Sequence, residues 1–157
     1  MLDAALHSGF LAVIGEVGSG KSVMRRKVVE QLKRDGNVNV IFPQMIDKNR
    51  VNAASICDAM VMDLSDERPR MKMEDKTRQV HRLLLARSKQ GCRAVLLIEE
   101  AHDLHPATIK YLKRFQELED GYRKLLGIIL VGQVELKDIF SEQAHIDMRE
   151  VIRRKSF

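Results

Sequence analysis

Three groups of residues have the types and spacing to do chemistry together. The first is Gly15-Glu16-Val17-Gly18-Ser19-Gly20-Lys21-Ser22, spaced as G-x-x-x-x-G-K-[ST]. Glycines in such a loop let the backbone curl so that several N–H groups point at one phosphate. Lys21 reaches the β- and γ-phosphates, the Ser22 hydroxyl holds Mg²⁺, and Val23 continues the cradle. The second group is Glu99-Glu100, delivered by the apolar run Ala94-Val95-Leu96-Leu97-Ile98. Two adjacent acids suit Mg²⁺–ATP hydrolysis, with Glu99 on the metal side and Glu100 as the base that orients and deprotonates water. Acids at a favourable helix start are the alternative, and partnership with the glycine loop favours the catalytic reading. The third is Gln133, after the apolar run ending Val131-Gly132. If that run lies between the other two, the Gln133 amide faces the γ-phosphate and its water; otherwise it is a cap or surface group. His102 is close enough in sequence to position Glu100, although a structural histidine is the commoner case.

These groups need a scaffold that brings three strand ends together. Phe10–Ile14, Val38–Phe42, Ala94–Ile98 and Leu126–Val131 read as strands, apolar enough to be covered on both faces. Helical spacing runs from about Lys21 to Lys33, with Val23, Met24, Val28, Val29 and Leu32 on one side. Asp35-Gly36-Asn37 stops it, and Asp47–Arg50 reads as a loop before a helix carrying Val51, Ala54, Ile56, Met60 and Val61. The charged segment from Asp63 to Lys72 reads as an exposed loop. Glu74 to Gln90 is amphipathic with Val80, Leu83, Leu84 and Leu85 inward, and Gly91 ends it. Pro106 opens a helix that runs to about Leu118, broken by Glu119-Asp120-Gly121. Helices are expected from Val134 to Phe140 and from His145 to Arg154. Alternating strands and helices make an α/β fold with a mostly parallel sheet, whose ligands sit outside the carboxyl ends of the strands.

The 157 residues suffice for one domain, 1–157. Hydrophobic residues are 45% and charged residues 31%, the balance of a soluble globular chain. No apolar run reaches membrane-spanning length and the N-terminus does not read as a signal peptide, so membrane insertion is not expected and a cytoplasmic location is. Cys57 and Cys92 lack metal-ligand or disulfide spacing and read as buried small hydrophobes. The net charge of +5 and pI of about 9.4 suit a nucleotide and leave room for nucleic acid.

Taken together, GEVGSGKS, LLIEEAHDL and GIILVGQVEL resemble the AAA+ ATPases, a class of P-loop NTPases, and within them the ExeA-like group. That group includes a secretion-pathway ATPase and the ATPases that regulate DNA transposition. The resemblance covers nearly the whole chain. It implies a five-stranded sheet in the order 5-1-4-3-2 and ATP held between subunits of a ring or filament. It further implies that Gly15 to Ser22 match Walker A, Glu99 and Glu100 match Walker B, and Gln133 matches sensor 1. A neighbouring subunit normally supplies an arginine finger from the helix after sensor 1, for which Arg149, Arg153 and Arg154 are the candidates. Their alternative is a basic helix end matched to the dipole. The fifth strand is expected only where the sequence stops, at Phe157, and the helical lid is expected to be missing, which would leave a core weak in hydrolysis and assembly.

By the same resemblance the transposition ATPases bind duplex DNA with little sequence preference and recruit a transposase. Lys48 and Arg50, after the second strand, are the matching basic residues, and Arg68, Arg70 and Lys72 are the runner-up set. Such contacts would be salt-sensitive and sequence-blind. With no Trp and 4% aromatics, base stacking on single strands is disfavoured. The function expected is an ATP-dependent DNA-binding regulator of transposition; the alternatives are a secretion-pathway ATPase or a nucleotide switch with little hydrolysis.

Overall fold

Five parallel strands form the frame of the molecule in a computed structural model that describes residues 10–14, 21–34, 37–43, 51–120, 123–133 and 149–152. The strands are β1 (Phe10–Ile14), β2 (Val38–Ile41), β3 (Arg93–Ile98), β6 (Leu126–Gly132) and β7 (Arg149–Ile152), ordered β2-β3-β6-β1-β7. With the small hairpin β4 (Glu119–Asp120) and β5 (Arg123–Lys124) set aside, the sheet strands read 5-1-4-3-2 from the β7 edge, as expected. The helices are α1 (Lys21–Arg34), α2 (Ala53–Leu64), α3 (Met73–Lys89) and α4 (Pro106–Gln116).

The apolar runs of β3 and β6 are explained by burial on both faces. Alternate residues point to opposite sides. Ala94, Leu96 and Ile98 of β3 and Leu126, Ile128 and Leu130 of β6 join the larger core with α2, α3 and α4. Val95, Leu97, Ile129 and Val131 face the other way and pack with Leu32 of α1. The expected inward residues Val80, Leu83 and Leu84 are buried, whereas Leu85 lies half-buried at the margin. Of the cysteines, Cys57 is buried and Cys92 is half-buried.

Local chemistry sets the helix ends. Asn52 caps α2 by accepting from Ser55 N–H at 2.9 Å, while Ser55 Oγ accepts from Asn52 N–H at 3.0 Å. Gly91, at φ 79°, ends the turn after α3. Pro106 stands in the first turn of α4, and His105 Nδ1 accepts from Ala107 N–H at 3.1 Å.

Three expectations are corrected. Residues 149–152 form β7, a strand beside β1, where a helix from His145 to Arg154 was expected. Val151 and Ile152 favour a strand, and the open edge of β1 supplies the backbone partners that a helix would have supplied internally. The fifth strand is therefore within the sequence and does not begin at Phe157. The break after α4 continues into the β4–β5 hairpin, paired Glu119 to Lys124 and Asp120 to Arg123. Third, Asp63 and Leu64 belong to α2, and Ser65–Lys72 is a strap held against α3. The expected helix at Val134 to Phe140 lies outside the described residues.

The strap decides how α2 and α3 pack. Lys76 Nζ donates to Asp58 at 2.5 Å, and Arg87 Nη2 donates to the Leu64 carbonyl at 2.9 Å. Moving forward along α2 thus moves forward along α3, so the two helices run in the same sense. The strap must then return along α3. It meets Arg82 through Glu67, then Gln79 through Arg68 and Arg70, and ends at Lys72, the N-cap of α3. Gln79 is buried and spends both ends of its amide on strap backbone: Nε2 donates to the Arg68 carbonyl at 3.0 Å, and Oε1 accepts from Arg70 N–H at 3.0 Å. It stands where a neighbouring strand would stand. Thr77 hydrogen-bonds Tyr111 and ties α3 to α4.

Gln79→Ala leaves a buried donor and acceptor unmet and should cost about 1–3 kcal/mol in urea unfolding. It should also speed tryptic cleavage after Arg70; unchanged cleavage would mean that the amide does not hold the strap. Burial first, and Asp58 next, push the Cys57 thiol from its ordinary 9.0 up to about 12, with Lys76 opposing. The unfolded chain releases this proton more readily than the native one. The contribution is therefore full below about pH 9 and is lost as pH rises toward 12. Cys57→Ala should flatten the fall of stability over that window, and equal slopes for both proteins would rule this out.

Candidate active site

β6 sits between β1 and β3, and its register sets which residues meet at the carboxyl edge. Ile14 of β1 pairs with Gly132, and Ile98 of β3 pairs with Leu130. The chain leaves β1 into Gly15, leaves β6 into Gln133 and leaves β3 into Glu99. At ordinary strand spacing β1 and β3 are roughly 10 Å apart with β6 in the middle. Gln133 therefore follows a strand that lies between β1, which leads in sequence into the glycine loop, and β3, which leads into the acid pair.

Gly15, Glu16, Val17, Gly18, Ser19 and Gly20 lie outside the described residues. Lys21, Ser22 and Val23 form the opening of α1, which carries no acid in its first turn. The positive end of this helix is thus left without a neutralising side chain of its own, a suitable setting for an anion. The short connection from Ile14 to Lys21 places that helix end after the carboxyl end of β1.

Glu99 and Glu100 are half-buried. Glu100 adopts φ 53° and ψ 39° and is the one non-glycine residue with positive φ among those described. A left-handed residue with a Cβ costs about 1–2 kcal/mol. The conformation is imposed from the C-terminal side. Ala101, fully buried, and Leu104, 4% exposed, anchor a single 3-10 turn, Ala101–Asp103, in the main core. Asp103 N–H donates to the Glu100 carbonyl at 3.0 Å, and Leu104 N–H donates to the Ala101 carbonyl at 3.1 Å. Backbone strain of this kind gathers at functional positions. No spacing in the sequence marks it; Ala and Leu flanking a charged turn were its only trace. His102 lies within this turn.

Arg149 is on β7 opposite Leu11, three residues before Ile152, which pairs with Ile14 at the carboxyl edge. Three residues of strand set it roughly 10 Å back from that edge. It is on a strand, not on the helix expected to carry a finger. Arg153 and Arg154, which come after β7, lie outside the described residues, as do Lys48 and Arg50. Arg68, Arg70 and Lys72 are exposed on the strap over α3. Among the described residues there is no group of three or more His, Cys, Asp or Glu able to hold a metal. A divalent ion at this edge would take Ser22 and Glu99 from the protein and complete its shell with phosphate and water, the usual habit of Mg²⁺. The described helices include none long and apolar enough to cross a membrane.

Comparison with known proteins speaks to family and fold. The family model of the AAA domain matches residues 5–140. General secretion pathway protein A of Aeromonas hydrophila is 31% identical over 135 residues, which are 85% of this chain and 24% of that protein. The chain therefore spans about a quarter of the length of this relative. Among solved structures, Drosophila ORC bound to DNA matches with TM-score 0.72 and 17% identity, over 94% of this chain and 38% of that one. The Aeropyrum pernix ORC2 protein, solved as ADPNP–ADP complexes, matches with TM-score 0.70 and 14% identity, over 97% and 43%. Cdc6p of Pyrobaculum aerophilum matches with TM-score 0.63 and 17% identity, over 90% and 38%. At these identities the solved structures speak to the fold, which is the P-loop AAA+ fold. The matched family model covers most of the sequence, β1 to the end of β6 included, and on that ground the chain belongs to the AAA domain family.

Proposed function

We propose that this chain binds Mg²⁺–ATP at the carboxyl edge of β1, β6 and β3 and hydrolyses it, using the nucleotide state as a switch. The observation that supports the reading is the register that sets the carboxyl end of β6, before Gln133, between the carboxyl ends of β1 and β3. In this reading the N–H groups of Gly15 to Val23 cradle the phosphates and Lys21 neutralises the β- and γ-oxygens. Ser22 and Glu99 would hold the metal, which would supply further neutralisation of phosphate charge. Glu100 takes a proton from the attacking water, and the Gln133 amide orients that water. A guanidinium from a neighbouring copy in a ring or filament would complete the charge balance. Arg149 is set back along β7 and suits this less well, which leaves Arg153 and Arg154 as the candidates.

The biological setting is proposed from kinship and charge. Identity to General secretion pathway protein A supports an ATPase of the ExeA-like group acting in a secretion pathway. Because only about a quarter of that protein is spanned, its partners and whole activity are part of the proposal. The +5 charge, together with Lys48 and Arg50, supports a second reading: ATP-dependent binding of duplex DNA in the regulation of transposition, with a transposase as partner.

Replacing Lys21 by Ala should abolish nucleotide binding. Glu100→Gln should keep binding and reduce turnover by about 100-fold or more. Glu100→Gly should also lose turnover yet gain about 1 kcal/mol in stability by releasing the left-handed strain. Undiminished turnover in Glu100→Gln would remove Glu100 as the base. Duplex-DNA binding over a salt series, with and without ATP, separates the two settings. ATP-dependent binding that weakens steeply with salt is the transposition outcome; its absence in the whole chain eliminates that setting and leaves the secretion one.

A further inference from the structure

The strap Ser65–Lys72 has a feature that the nucleotide site does not use. Of the basic residues in this part of the surface, most already have partners. Arg78 pairs with Glu74 at 2.8 Å, Arg82 pairs with Glu67 at 2.5 Å, Lys76 pairs with Asp58, and Arg87 donates to the Leu64 carbonyl. Arg68, Arg70 and Lys72 are exposed and stand outside these ion pairs, although the charge of Arg70 also acts on Glu67. Between Arg70 and Lys72 stands Met71, 92% exposed, the most exposed large hydrophobic residue among those described. Half-buried Pro69 is its neighbour on the strap. A concavity of about 640 Å³ opens beneath, lined by Pro69, Arg70, Met71, Lys72, Asp75 and Gln79 among others.

The strap is also held still. Gln79 fixes the backbone on both sides of Pro69, and Glu67 is fixed by both its oxygens to Arg82. Ser65 Oγ receives Glu67 N–H at 3.1 Å and donates to the Val61 carbonyl at 2.9 Å. A loop so constrained presents its cations and its thioether in one arrangement, which lowers the ordering cost of binding. Exposed polar loops need no such clamp.

We propose that this strap is a docking edge for a protein partner, and that it receives an acidic peptide segment with an apolar anchor. The anchor would cover Met71 and Pro69, and its flanking carboxylates would meet Arg68, Arg70 and Lys72. A nucleic-acid backbone fits the same surface less well, because Met71 would gain no apolar partner from a phosphate chain. Charge complementarity sets the orientation and the apolar contact supplies the affinity. This reading of Arg68, Arg70 and Lys72 does not depend on nucleotide hydrolysis.

The probe is a short fluorescein-labelled peptide alternating Glu and Leu, titrated into the whole chain by anisotropy. An all-Glu peptide of equal charge and a short DNA duplex are run beside it. Expected are salt-sensitive binding of the Glu-Leu peptide and a loss of about tenfold or more in R68E/R70E/K72E. Met71→Ser, a change on an exposed side chain that leaves the strap bonds in place, should weaken the Glu-Leu peptide by about threefold or more and leave the all-Glu peptide unchanged. Thermal melting of each variant checks that the fold is kept. The proposal is overturned if the Glu-Leu peptide does not bind, if Met71→Ser has no effect on it, or if the duplex competes for the same residues with equal affinity.

Discussion

Insertion of β6 between β1 and β3 is the constraint on which the rest of the molecule depends. Its seven residues are all buried, so it cannot slip by one position without turning both core faces inside out. Because all three strands are parallel, their carboxyl ends lie along one edge. A shift of register would carry Gln133 away from the ends of both β1 and β3 at once. The two cores that flank β6 therefore do more than stabilise the sheet. They fix the relative positions of three strand ends, which lead into a glycine-rich segment, a polar amide and two carboxylates far apart in the chain.

Against this rigid edge, Glu100 is the point of local conflict. The core accepts Ala101 and Leu104, and the turn between them forces the residue before it into the left-handed region. A glycine would relieve the strain, yet the position holds a carboxylate. Conformational cost and a carboxylate are thus set at one residue, which suits the role of base proposed for it. The pair of buried Lys76 with partly exposed Asp58 and the clamp at Gln79 are different in kind. They satisfy polar groups that the same-sense packing of α2 and α3 would otherwise leave unpaired.

Elements were readable in the sequence where burial alone shapes composition. β3 and β6 announced themselves as unbroken apolar runs because both faces are buried, and α3 because one face is. The glycine loop, the acid pair and Gln133 were readable because each comes directly after such a run, and a parallel sheet gathers the residues at the carboxyl ends of its strands. β7 was not readable. Arg149 and Glu150 occupy half of it, and only pairing with β1, far away in the sequence, makes it a strand. The β4–β5 hairpin is too short for any periodicity. The strap looked like a solvated charged loop because nothing in its own composition reveals that a glutamine on the next helix takes the place of a strand beside it.

The correction at β7 also bears on how a neighbouring copy could complete the site. A finger on a helix after Gln133 would be placed by that helix alone. Placing 149–152 in the sheet instead fixes Arg149 by its pairing to Leu11, three residues back from the pairing of Ile152 with Ile14. Strand pairing, not helix geometry, therefore sets how far Arg149 stands from the carboxyl edge, and on the proposed reading it is this distance that counts against Arg149 as the finger.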